Sequence, residues 1–214
     1  MIGRGRLSNW KGTVDKDRFG PKARYFDRWA ARYDSVLTGW AYWWLHRRLL
    51  AWVPPMPEAT VLDLGCGTGR LLERLAARET ALRGIGVDLS EAMIQQAQQR
   101  NPCPERLQFV QGKAERLIFA DATFDVVFCT FSFQHYPYPE AVLQQIRRVL
   151  RPGGHFYWLD LSVGNRTGEL LVPVTPGGLR LYSPALRQQL AGEAELFCTA
   201  HRTLFPALLS VFVS

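Results

Sequence analysis

The chain has 214 residues, 47% hydrophobic and 21% charged, with a formal charge of +7. That is enough for one full core, short of two comfortable domains, and too apolar for a disordered chain. No apolar run approaches the ~20 residues that cross a bilayer, and no apolar segment follows Arg4, Arg6 and Lys11 as in a signal peptide. The four cysteines (Cys66, Cys103, Cys129 and Cys198) form no C-x-x-C pair. This argues against a zinc site or redox dithiol and for small buried residues in a reducing, cytoplasmic setting.

Residues 1–32 hold nine Lys and Arg against three Asp. A basic leader of this kind suits nucleic acid or an anionic membrane surface; a solvated end is the plainer reading. Residues 1–22 carry Gly3, Gly5, Gly12, Gly20 and Pro21 without apolar periodicity, so they read as irregular, and the leader is set at 1–24. From near Lys22, Phe26, Trp29, Ala30 and Tyr33 recur at helical steps. A second helix follows from Trp40 to Val53, and six of the seven tryptophans lie in the first 52 residues. These aromatics pack the helix on the domain, cover a flat or greasy acceptor, or contact a membrane interface beside Arg47 and Arg48. Pro54, Pro55 and Pro57 end this region. The expected organisation is one domain over 25–214, with cap helices at 25–53 and a core at 58–214.

Thr60 to Arg70 reads T-V-L-D-L-G-C-G-T-G-R: a buried strand, a glycine turn and a helix with Leu71, Leu72 and Leu75 on one face. Gly65, Gly67 and Gly69 allow φ > 0 and close approach of backbone N–H groups to a ligand. The spacing is not that of nicotinamide enzymes, and no Gly-Lys-Ser/Thr follows. Asp63 repels a pyrophosphate but accepts from an ammonium group. Gly84–Asp88 reads as a second strand, and its acid lies 23 residues after Gly65, placed to accept two ribose hydroxyls. Leu89 can lie on an adenine face, and Ser90 caps a helix through Met93, Ile94 and Ala97. Strands follow at Leu107–Gln111 and Phe124–Thr130, then F-S-F-Q-H-Y, a helix from Pro139, R-P-G-G and a fifth strand. Ser183 caps a helix through Leu190, and 195–204 and 206–213 form two closing antiparallel strands. The alternation predicts an α/β, doubly wound, mainly parallel sheet.

V-L-D-L-G-C-G-T-G resembles the first motif of class I S-adenosylmethionine (SAM) dependent methyltransferases, and R-x-L-R-P-G-G resembles a later one. The resemblance spans about residues 25–160. It implies a seven-stranded sheet ending in an antiparallel hairpin, SAM as cofactor and S-adenosylhomocysteine as product. It implies that Tyr33 covers the cofactor. Asp63 and the turn Gly65, Cys66, Gly67 and Gly69 would hold the methionine moiety, and Asp88, Leu89 and Met93 the ribose and adenine. Thr130 and Phe131 would stand at the mouth. The family's adenine-binding aspartate is replaced by Lys113, which cannot accept a hydrogen bond; Ala114 N–H and Glu115 are the substitutes. His135 is the nominated base for SN2 transfer to the acceptor.

The motif set is most similar to the small-molecule, ubiquinone/menaquinone C-methyltransferase-like group, although that group's asparagine signature is absent after Tyr33-Asp34. Strand four ends in T-F-S-F rather than Asn-Pro-Pro-Tyr, which disfavours a nucleobase acceptor. The expected acceptor is small and apolar or aromatic. The alternatives are an RNA or protein methyltransferase using the basic leader, and a non-catalytic SAM-binding module. The oligomeric state stays open.

Overall fold

A computed structural model describes residues 16–33, 36–164 and 168–214. Two helices come first, α1 (Lys16–Tyr33) and α2 (Val36–Leu50). The alternating core follows: β1 (Thr60–Leu64), α3 (Arg70–Arg78), β2 (Arg83–Asp88), α4 (Glu91–Arg100), β3 (Leu107–Gln111) and β4 (Phe124–Thr130). A 3-10 turn, Phe133–His135, leads to α5 (Pro139–Val149) and β5 (Leu150–Leu161). The chain ends with β6 (Glu169–Val172), β7 (Leu179–Tyr182), α6 (Pro184–Glu193), β8 (Phe197–Leu204) and β9 (Ala207–Val213).

Among the described residues the main sheet has seven strands in the order β3-β2-β1-β4-β5-β9-β8. β1 runs parallel to β2 and β4, whereas β9 is antiparallel to both β5 and β8. The chain steps outward from β1 to β3 and then returns to the other side of β1. That reversal opens a crevice at the carboxyl ends of β1 and β4, where ligands bind in open sheets. Both faces of the sheet are covered, so Leu62, Leu64, Val127 and Phe128 are fully buried. Leu45 and Leu49 of α2 join Leu71, Leu72 and Leu75 of α3 on one face. Val142, Leu143 and Ile146 of α5 meet Phe156 and Trp158 on the other.

Two expectations need correction. α1 begins at Lys16, not near Lys22, and accommodates Pro21 in its interior. Phe19, Lys22 and Ala30 are buried, so the inward face starts a full turn before the stretch read as helical. Asp27 fixes α1 over the sheet: its Oδ1 accepts from Ser90 Oγ at 2.6 Å, at the N-terminus of α4. The second helix is displaced toward the N-terminus relative to the expected Trp40–Val53 and stops before Trp52. The hairpin of β6 and β7 was not expected at all. Its strands lack an alternating buried face, which is the signal a strand assignment needs.

Candidate active site

The glycine turn after β1 is tightly self-bonded. Gly65 N–H and Cys66 N–H both donate to Val87 O, at 2.7 and 3.1 Å. Gly67 N–H donates to Asp88 Oδ2 at 2.9 Å, and Gly69 N–H to Cys66 O at 3.0 Å. These donors are spent inside the protein, so the expectation that they face a ligand is corrected. The glycines act through the missing Cβ instead. All three have positive φ. A Cβ on Gly65 would lie 2.3 Å from Ser132 Cβ, and one on Gly69 2.7 Å from the Phe109 ring. Gly69 therefore serves helix–sheet packing, while Gly65 and Gly67 line a cavity.

That cavity, of about 320 Å³, lies at the carboxyl ends of β1, β2 and β4. It brings together Gly65, Gly67, Asp88, Leu89, Met93, Ala114, Glu115, Thr130, Phe131 and His135 of the expected site. Its far wall is aromatic: Phe19, Tyr25, Phe26 and Trp29 of α1 face it. A second chamber of about 330 Å³ shares Gly65, Thr130 and Tyr42 with the first. Asp63 and Cys66 open into this second chamber, with Thr68, His46 and Arg74. Tyr33 ends α1, but its side chain lies outside the described residues, as do leader residues 1–15.

The electrostatics are dominated by burial. Asp63 Oδ1 is buried with no hydrogen-bond partner among the described residues. Burial, then the Asp88 charge, raises the Asp63 carboxyl from its ordinary 3.8 to about 8. Asp88 is also raised by burial, opposed by backbone N–H groups; Ser90 N–H donates to its Oδ1 at 2.8 Å. Glu115 is raised to about 7 by burial, and its Oε1 is likewise unpartnered. His135 is held down to about 3 by burial and the nearby Lys22 charge. The imidazole is therefore neutral at pH 7, the form that accepts a proton, and a weak base. Burial also pushes the Cys66 thiol up, so it stays protonated and unreactive.

Several lining residues escaped the sequence reading. Lys22 Nζ donates to the His135 carbonyl, and burial lowers its pKa to about 8. Gln134 N–H donates to Asp160 Oδ2 at 3.1 Å, and Ser132 Oγ donates to Leu64 O at 2.7 Å. A usable signal for Lys22 was its place three residues after Phe19 and four before Phe26, a cation on an apolar helix face.

Residues 62–158 match the family described as "Methyltransferase domain". The chain carries a class I SAM-dependent methyltransferase domain. Similar proteins include malonyl-[acyl-carrier protein] O-methyltransferase of Marinomonas sp. (strain MWYL1), 34% identical over 143 residues. That alignment covers 67% of this chain and 52% of the relative. The ubiquinone/menaquinone biosynthesis C-methyltransferase UbiE of Paracoccus denitrificans is 30% identical over 159 residues, covering 72% and 64%. The chain thus spans between about half and two thirds of these two relatives. Among solved structures, a chain of the complex between the Haloferax volcanii Trm112 methyltransferase activator and a candidate methyltransferase superposes with a TM-score of 0.77. It is 25% identical, and the match covers 88% of this chain and 96% of that one.

SAM is the cofactor of this methyltransferase domain, and the residues present fit it. A cationic amino-acid end suits the unpartnered Asp63 carboxylate, and the Gly65 cradle leaves room that a Cβ would fill. This has a pH consequence. A cation beside Asp63 favours its ionised form, so binding expels a proton below about pH 8. SAM affinity is expected to rise as pH increases from 6 toward 8. Titration calorimetry in buffers of unequal ionisation enthalpy should show the proton release; a pH-independent affinity would contradict it. The effect on folding has the opposite sign. The folded-state pKa is raised, so this group's contribution to stability is full below about 3.8 and lost as pH rises through about 8.

Proposed function

We propose that this protein transfers a methyl group from SAM to a small, apolar or aromatic acceptor in the cytoplasm. One observation carries the reading: the cavity that presents Asp88 is walled opposite by the aromatic side chains of α1. When bound, SAM supplies an electrophilic sulfonium methyl for in-line displacement by the acceptor. Backbone N–H groups of Gly67, Ser90 and Leu89 face the Asp88 carboxylate, and its remaining acceptor capacity takes the ribose hydroxyls. Glu115 supplies the acceptor for the adenine amino group. Lys113 takes no part there, since its Nζ sits 4.1 Å from the centre of the Phe19 ring. Neutral His135 orients the acceptor as a hydrogen-bonding partner, and the Lys22 ammonium stabilises negative charge on an acceptor oxygen. The aromatic wall excludes water from the developing charge.

The H. volcanii neighbour, solved with a methyltransferase activator, supports a second reading in which this chain works with an activator subunit, and the basic N-terminal stretch would then suit RNA or a protein as acceptor. Methyl-labelled SAM added with cell extract separates the two. Label in the solvent-extractable fraction is expected; label confined to RNA or protein would overturn the small-molecule reading. Asp88→Ala is expected to weaken SAM binding at least about tenfold, because it removes a charged acceptor shared by two hydroxyls. Calorimetry on folded protein checks this, and unchanged affinity would place the ribose elsewhere.

A further inference from the structure

α2 carries apolar side chains on both sides. Leu45, His46 and Leu49 face inward and are buried. Trp40, Trp43, Trp44, Arg47 and Arg48 recur at three- and four-residue steps on the opposite side. Trp40 is 69% exposed, Trp43 41% and Trp44 37%; Trp52, just beyond the helix, is 51% exposed. A solvated helix face is ordinarily polar, and single exposed apolar residues need no explanation, but three exposed indoles on one helix face, with a fourth just past its end, do. Each of three rings has a guanidinium beside it. Arg47 lies 5.6 Å from the Trp43 centroid, Arg48 4.6 Å from Trp44, and Arg202 5.0 Å from Trp52. Residues 36–50 contain no Asp or Glu.

We propose that this face docks the protein on an anionic bilayer surface, with the indoles at headgroup depth and the arginines on lipid phosphates. Indole combines an apolar body with a polar N–H, which suits the membrane interface. Arginine stems lie along apolar surface while their heads stay with the phosphates. Anionic lipid supplies the countercharge that the face lacks. A second copy of this chain is a poorer occupant, because a two-fold contact would set Arg47 and Arg48 near their own equivalents. An acidic protein would match the charge, but α2 offers no carboxylate on this face to fix its register. Trp40 and Trp43 also line the second chamber, so the docking face and the site share a wall. The contact is peripheral: no helix among the described residues is long and apolar enough to cross a membrane.

The test uses the full chain with two vesicle compositions, phosphatidylcholine alone and phosphatidylcholine mixed with phosphatidylglycerol. The wild-type protein is expected to sediment with the mixed vesicles, and brominated lipid is expected to quench its tryptophan fluorescence. The double variant Trp44→Ser/Trp52→Ser changes two rings that line neither cavity. It should lower vesicle affinity at least about tenfold while its thermal unfolding stays as in the wild type. Arg47→Gln/Arg48→Gln should lower affinity for the anionic vesicles by roughly tenfold or more. The proposal is overturned by no association with either vesicle, or by wild-type affinity in the tryptophan variant. It is equally overturned by a concentration-dependent dimer that shields the indoles, or by preference for polyglutamate over vesicles. No arm reads methyl transfer, so this docking and the proposed reaction stand or fall separately.

Discussion

Gly65→Ala is expected to abolish measurable SAM binding, with affinity down by at least about a hundredfold, and to destabilise the fold by about 2–4 kcal/mol. Two effects combine. The residue sits at φ +69°, where a Cβ costs about 1–2 kcal/mol. The new Cβ would also lie 2.3 Å from Ser132 Cβ and 2.7 Å from its Oγ. Ser132 cannot step aside cheaply. Its Oγ donates to Leu64 O and lies 2.9 Å from Cys129 Sγ, inside the core. The loop after β4 must therefore move, and that loop carries Phe131, already at φ +55°, and His135. Gly153→Ala is the control. It has a similar φ of +77°, but a Cβ there meets nothing within 4 Å. It should show the strain without the clash, losing stability but keeping SAM affinity. Calorimetric binding and urea unfolding of both variants decide the matter; ordinary affinity in Gly65→Ala would refute the cradle.

The parts of this fold that were legible in the sequence are those encoded over a few adjacent residues. Val61 to Leu64 is apolar enough to be a central strand, and Ser90 caps α4 by accepting from Met93 N–H, as expected. Asp88 was locatable because a strand end and a fixed distance from the first glycine coincide. What stayed hidden depends on partners distant in sequence. The spacing of Gly67 cannot reveal that its N–H is used by Asp88, 21 residues on. Gly20 and Pro21 masked the start of α1, although Phe19 and Lys22 on that first stretch complete the cavity wall. The residue type at position 135 marked a base, but its proton affinity is lowered by burial under α1 and then by the charge of Lys22, 113 residues away. A histidine's identity is local, whereas its chemistry is not.

Arg187→Met is expected to cost even more stability, at a residue that nothing in its local sequence marks. Arg187 stands on α6 with no exposed surface. Its Nη1 donates to Leu208 O at 2.9 Å, and its Nη2 to Leu161 O at 3.0 Å and Asp160 O at 3.2 Å. The guanidinium also lies 4.7 Å from the Trp158 centroid, so one side chain joins α6 to β5 and β9. Burial lowers its pKa to about 10, which leaves it charged at neutral pH. Nearby Asp160 is raised by burial to about 7, a rise that the Arg187 charge opposes. Asp160 in turn accepts from Trp158 Nε1 at 2.8 Å and from Gln134 N–H, tying this network to the cavity loop. Methionine fills similar volume but leaves several buried carbonyls without donors and Asp160 without its cation. The expected loss is about 3–5 kcal/mol in urea unfolding. Arg187→Lys should recover only part of it, because an ammonium cannot fork to both strands. The pH dependence follows from Asp160. Its folded pKa is raised, so its contribution to stability is full below about 3.8 and lost as pH rises through about 7. Without the guanidinium that pKa rises further, so the variant's deficit should widen between pH 6 and pH 8. A deficit below about 1 kcal/mol, or one that narrows with rising pH, would show that the cation is not what holds β5, β9 and α6 together.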